Sequence, residues 1–200
     1  MCNVILLTGT PGSGKTLIGE KLAKNLKGLF IDIPTLVKKK KLFYYYDRKY
    51  RSYILNLRKL RKELSKIYKK EERKIVIASH FPIYIPKEKL CKVIVLRCNP
   101  LILIKRLKKR NYPYKKIRDN IVSELIDLVY CEAIEYYGKE IVFQLDVSNK
   151  KINEILKEIS LILLRNGKQN TIDWITSLEK MGKLDFILKY IEKGDKRNII

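Results

Sequence analysis

The residues best placed for chemistry form one run, Gly9-Thr10-Pro11-Gly12-Ser13-Gly14-Lys15-Thr16, which satisfies G-x-x-x-x-G-K-[ST] without a mismatch. Glycines in such a run let the backbone curl so that successive N–H groups face a phosphate, and a following helix adds partial positive charge. Lys15 would reach the β- and γ-phosphates, and the Thr16 hydroxyl would hold Mg²⁺. A second basic group lies far downstream: residues 105–118 carry eight Lys or Arg and no carboxylate. Such density is costly by self-repulsion unless anions compensate it. Within it Arg106 and Arg110 stand one helical turn apart, able to bear together on a transferring phosphoryl group.

These residues need elements to position them. Asn3-Val4-Ile5-Leu6-Leu7-Thr8 is apolar and short, as a buried parallel strand should be. After the loop, Leu17, Ile18, Leu22 and Leu26 recur at helical spacing, with Gly28 expected at C′. Leu29–Ile33 is expected as a second strand, stopped by Pro34, and residues 35–74 as a mostly helical, basic insert. There Leu57, Leu60, Leu64 and Ile67 mark an amphipathic helix with a basic outer face. Strands are expected again at 74–80, 92–97 and 140–145. Asn99 and Pro100 cap and open a helix to Arg110.

One long helix is expected from about 116 to 137, with Lys116, Asn120 and Glu124 on a polar face beside Ile117, Ile121, Leu125 and Leu128. A helix follows Lys150. Residues 165–170 are expected as a polar linker, and a short helical pair broken near Gly182 as a tail that packs on the domain. Strands alternating with helices predict an α/β fold with a five-stranded parallel sheet covered by helices on both faces.

Composition bounds the rest. The 200-residue chain is 46% hydrophobic, enough for a real core, and its 44 Lys+Arg against 21 Asp+Glu give a net charge of +23. That excess fits polyanionic partners, or lysine-rich faces that are merely solvated; composition does not separate the two. Cys2, Cys91, Cys98 and Cys131 show no metal-ligand spacing, and His80 is the only histidine, so buried, reduced thiols are expected. No signal peptide and no apolar run of membrane-spanning length is visible, which points to a cytoplasmic protein with no membrane partner. A guanine-specific GTPase would carry N-K-x-D, absent here, and an AAA-type ATPase is expected to be longer. A small kinase, with a basic acceptor pocket and an arginine-bearing lid, fits the insert and the 105–118 segment.

Further residues sharpen this. Leu42, Tyr46-Asp47, Tyr50, Val95-Leu96-Arg97, Arg106-Leu107, Arg110-Asn111-Tyr112, Lys116-Ile117, Asn120, Glu124, Glu132-Ala133, Gln144-Leu145 and Ser148-Asn149-Lys150 follow the phosphate loop in order. With that loop they resemble the adenylate kinase isoenzyme 6 family, nucleoside monophosphate kinase relatives tied to small ribosomal subunit maturation. The resemblance spans residues 3–150. It implies a P-loop kinase domain over 1–165, with a monophosphate-binding region at 33–56 and a lid at 109–119; the helical extension over 166–200 is expected from the apolar spacing of the tail alone. It implies ATP contacts along Gly12, Ser13, Gly14, Lys15, Thr16 and Leu17 and from Arg110 and Lys150, and acceptor contacts from Lys38, Tyr46 and Asp47. His80 falls where the family has a histidine implicated in ATP hydrolysis. The carboxylate two residues before it is replaced by Ala78, leaving a metal to Thr16, phosphates and water. Thr35, Lys38 and Asn56-Leu57-Arg58 also depart from the pattern in the acceptor region.

Three functions follow from this. The first is an adenylate kinase converting ATP and AMP into two ADP with Mg²⁺. The second is an ATPase acting in small-subunit assembly through a platform ribosomal protein and pre-rRNA, and the third is an RNA-binding module with a relic loop.

Overall fold

A computed structural model describes residues 2–48, 50–164 and 171–193. Its first half runs β1 (Val4–Thr8), α1 (Lys15–Asn25), β2 (Leu29–Asp32), α2 (Ile33–Lys40), β3 (Phe43–Asp47), β4 (Ser52–Leu55), α3 (Leu57–Lys70) and β5 (Ile75–Ala78). The rest is β6 (Leu90–Arg97), α4 (Pro100–Lys109), α5 (Tyr114–Leu125), α6 (Leu128–Tyr137), β7 (Val142–Asp146), α7 (Ile152–Leu164), α8 (Trp174–Lys180) and α9 (Leu184–Lys193). Five strands form a parallel sheet, as the alternation of strands and helices predicts, and the structure sets their order as β2-β5-β1-β6-β7.

Strand alternation divides the core into two layers. Ile5, Leu7, Val76, Ile94 and Leu96 pack against Ile18 and Leu22 of α1, Leu103 and Leu107 of α4, and Ile155 and Ile159 of α7. Val4, Leu6, Ile75, Ile77 and Val93 pack on the opposite face against Val37 of α2 and Leu60 and Leu64 of α3. The tail joins the first layer: Trp174, Leu178, Ile187 and Tyr190 are buried in it.

The structure corrects four local expectations. The helix expected over 116–137 is two helices, broken at Asp127, whose φ of +57 is left-handed. The reason is topological. Ile117, Ile121 and Leu125 belong to the first layer, whereas Val129 and Ala133 belong to the second. A straight helix cannot serve both faces of the sheet, and Leu128, expected in its apolar stripe, is 41% exposed.

The insert is helical over only half of its length. Phe43–Asp47 and Ser52–Leu55 pair as an antiparallel hairpin, in which Phe43 and Tyr53 rings sit 4.4 Å apart. A run of aromatics suits cross-strand pairing better than a helix face. Gly28 is not the left-handed residue that closes α1; Lys27 is, at φ +49. Gly28 instead lets two backbones meet, because a Cβ there would lie 2.3 Å from the Lys74 carbonyl oxygen. All four cysteines are free thiols, but only Cys98 is buried and Cys131 is exposed. The linker expected at 165–170, and with it the 165/166 domain boundary, lies outside the described residues.

Candidate functional site

The loop after β1 turns sharply enough to need glycine. Gly12 and Gly14 both sit at φ +95, and a Cβ on Gly12 would come within 2.8 Å of Leu103 Cδ1. Gly14 caps α1 without a side-chain acceptor, so no side chain competes for the helix's first amides. Lys15 is 4% exposed and folds back on its own loop, its Nζ donating to Gly9 O (2.6 Å) and Thr10 O (2.9 Å). Burial pushes its pKa down to about 7, with nearby Arg110 adding to the fall and Glu124 opposing it.

Glu124 anchors the loop from below. Its carboxylate accepts from Thr10 Oγ1 (2.5 Å), Arg97 Nε (2.7 Å), Trp174 Nε1 (2.9 Å) and the Cys98 amide (3.1 Å). Arg97 and Glu124 are each 2% exposed. The rest of the guanidinium is taken by the Glu124 carbonyl, Gln144 and Asp127. A buried pair so fully bonded avoids the cost of an uncompensated charge. Glu124 had been expected on a polar helix face. That face is internal, because α5 carries it under the loop, and the Arg97, Trp174 and Thr10 contacts have no signal in local spacing.

The sequence candidates of the phosphate side converge. The loop from Gly12 to Leu17, with His80, Arg106, Arg110 and Lys150, lines one cleft of about 490 Å³. Arg106 is committed to backbone. Its guanidinium donates to Gly12 O (3.3 Å), Val147 O (3.3 Å) and Ser148 O (3.0 Å), fastening the phosphate loop to the loop before α7. Arg110, at the C-cap of α4, is exposed on the same wall. The Lys150 ammonium pairs with Glu158 at 2.7 Å. His80 follows β5 at the cleft mouth, open to water but crowded by protein. Partial desolvation, and then the Lys15 charge, push its pKa down, so the ring is neutral near pH 7.

Thr16 Oγ1 donates to Asp32 Oδ2 at 3.0 Å. A threonine hydroxyl beside a carboxylate is a hard-oxygen pair of the kind that suits a divalent cation delivered with phosphates. Among the described residues no group of three or more His, Cys, Asp or Glu could hold a metal unaided.

The acceptor candidates behave differently. Lys38, Tyr46 and Asp47 do not line that cleft. Lys38 is exposed in the last turn of α2, Tyr46 stands 5.0 Å from Tyr53 across the hairpin, and Asp47 Oδ1 accepts from the Tyr50 amide (3.0 Å). What the sequence did not signal is that the hairpin turn meets the segment after α4. Lys115 Nζ donates to Tyr50 Oη (2.7 Å), and Lys116 Nζ to the carbonyls of Tyr50 and Arg51 (both 3.3 Å).

Comparisons with known proteins give the family and the fold. A family model described as AAA domain (AAA_18) matches residues 5–127. That span runs from β1 through the phosphate loop to the end of α5. A protein of Methanocaldococcus jannaschii named "Putative adenylate kinase" is 37% identical over 171 residues, covering 85% of this chain and 92% of that one. One of Sulfurisphaera tokodaii with the same name is 33% identical, covering 86% of each. Shikimate kinase from Bacteroides thetaiotaomicron superposes with a TM-score of 0.55 at 20% identity, covering 81% of this chain and 98% of that one, a likeness of fold alone. Among the described residues no helix is long and apolar enough to cross a membrane. With its five-stranded parallel sheet and phosphate loop the chain has the P-loop kinase fold, and it belongs to the AAA-domain family (AAA_18), with archaeal relatives that carry the name "Putative adenylate kinase".

Proposed function

We propose that the protein is a nucleoside monophosphate kinase that binds ATP with Mg²⁺ in the cleft and transfers the terminal phosphoryl group to AMP, giving two ADP. The observation that carries this reading is the convergence of Lys15, Arg110 and the open amides of α1 on one cleft. A divalent metal held at Thr16 would neutralise charge on the β- and γ-phosphates. The remaining work belongs to the chain. The loop amides and Lys15 hold the phosphates, for which Lys15 must leave the Gly9 and Thr10 carbonyls that it now bonds. Recharged by the bound anion, its ammonium then stabilises negative charge on the γ-phosphate oxygens.

An AMP α-phosphate oxygen would bond to the γ-phosphorus in line as the bond from that phosphorus to the β–γ bridging oxygen breaks and ADP leaves, with Arg110 on the transferring group. Arg106 would act through position, keeping Gly12 and the loop before α7 in register. Neutral His80 at the mouth would bear on water or on a phosphate oxygen, and the Lys150 backbone on the base. The hairpin touching the 109–119 lid suits an acceptor site that closes as a unit and excludes water. Lys38, Tyr46 and Asp47 would border the acceptor in that closed form.

The test is ADP formation from ATP with and without AMP. A large AMP-dependent increase supports the kinase; the same slow rate without AMP rejects it. A second reading, ATPase-linked assembly of the small ribosomal subunit with its pre-rRNA and a platform protein, is favoured by one feature. Arg58, Arg61, Lys62, Lys66 and Lys69 line a shallow basic groove along α3, away from the cleft. Retention of binding to small-subunit precursors after these five are neutralised would remove that support.

A further inference from the structure

We propose that Asp32 supplies the carboxylate of the divalent-metal site. The proposal rests on the nucleotide-site reading above and deepens it. A cation bound between a phosphate-loop hydroxyl and nucleotide phosphates takes a hard oxygen donor from a neighbouring strand end. The strand next to β1 on that side is β5, which ends Ile75-Val76-Ile77-Ala78 and is followed by Ser79 and His80, with no acid. One strand further out, Asp32 is the register partner of Ala78. The carboxylate thus stands in the same row across the carboxyl edge of the sheet, displaced by one strand.

Its two oxygens are used differently. Oδ1 caps α2, accepting from the Thr35 amide (2.9 Å) and hydroxyl (2.6 Å). Oδ2 accepts only the Thr16 hydroxyl among the described contacts, at 3.0 Å. That hydroxyl, by donating to Asp32, keeps its lone pairs for a cation. The helix cap fixes the carboxylate orientation that a metal and its waters would meet. The other acids near the loop fit less well. Glu124 accepts four hydrogen bonds beneath it, and Glu20 lines the cleft one turn along α1 from Thr16.

The test uses Mn²⁺ as the probe, followed by the electron paramagnetic resonance of free ion, together with ATP affinity measured in EDTA and in Mn²⁺. Asp32→Asn keeps an oxygen for the α2 cap and removes the charge. It is expected to weaken Mn²⁺ in the ATP complex by about 10- to 100-fold, with ATP affinity in EDTA undiminished. Asp32→Asn combined with Ala78→Asp is expected to recover most of that loss. Thr35→Ala, which removes the hydroxyl donor but leaves the Thr35 amide on the carboxylate, is expected to lose much less Mn²⁺ affinity than Asp32→Asn. Wild-type Mn²⁺ affinity in Asp32→Asn, an equal loss in Thr35→Ala, or a loss confined to Glu20→Gln overturns the proposal while the kinase reading stands. Failure of the wild type to bind ATP in either condition overturns both.

Discussion

The phosphate loop and the β3–β4 hairpin, proposed above to border the acceptor, are built on opposite principles. Beneath the phosphate loop, Arg97 and Glu124 are buried and every arm of both is bonded, so the loop rests on a rigid support. On the acceptor side, Tyr44, Tyr45, Tyr46 and Tyr50 of the hairpin are between 41% and 66% exposed, and its links to the next segment are a few lysine contacts at the surface. The difference separates two tasks. A phosphate site gains from preorganised amides and charge, whereas a hairpin with the proposed role of closing over an acceptor would draw on contacts of low individual strength.

The contrast can be broken in order of expected effect. Lys15→Met should lower AMP-dependent turnover by about 10²- to 10³-fold, measured as ADP formed, with little loss of fold. A smaller fall would mean that the loop's amides, not its lysine, carry the charge stabilisation. Arg97→Met should cost about 3–5 kcal/mol of stability in a denaturant titration, because it strands the Glu124 carboxylate. If it costs no more than a surface change, the support is not rigid in the sense argued.

A pH effect follows from Lys15. Its folded-state pKa of about 7 lies below the unfolded value of about 10.4, so from pH 7 upward the unfolded chain holds the extra proton. The nucleotide-free protein should therefore gain stability between pH 7 and 9 relative to Lys15→Met. Binding ATP at pH 8 should take up protons, seen by calorimetry in buffers of different ionisation enthalpy. At the weak end, Tyr50→Phe loses the Lys115 contact and should raise the acceptor KM by about two- to fivefold, leaving kcat and stability nearly unchanged. A collapse in stability would show the hairpin to be as rigid as the loop.

What could be read from the sequence was local. The phosphate loop, its flanking strand and helix, the Asn99 cap and the tail break at Gly182 all rest on neighbours within a few positions. The hairpin was missed because Phe43-Tyr44-Tyr45-Tyr46, set among lysines, has no clean period of two. Its exposed tyrosines break the alternation that a half-buried strand would show. The break at Asp127 was missed because helical spacing says nothing about which face of a sheet a helix must serve.

The sequence by itself determined the parallel α/β class and a phosphate-binding loop, since both follow from short-range periodicity and from the steric freedom of glycine. Only the tertiary structure decided which carboxylates attend that loop. Glu124 reaches Thr10 across 114 positions, and Asp32 reaches Thr16 from the far edge strand. Acids of one type were thus sorted by burial and packing into a support below the loop and an acceptor beside its threonine, a distinction that exists only once the sheet has assembled.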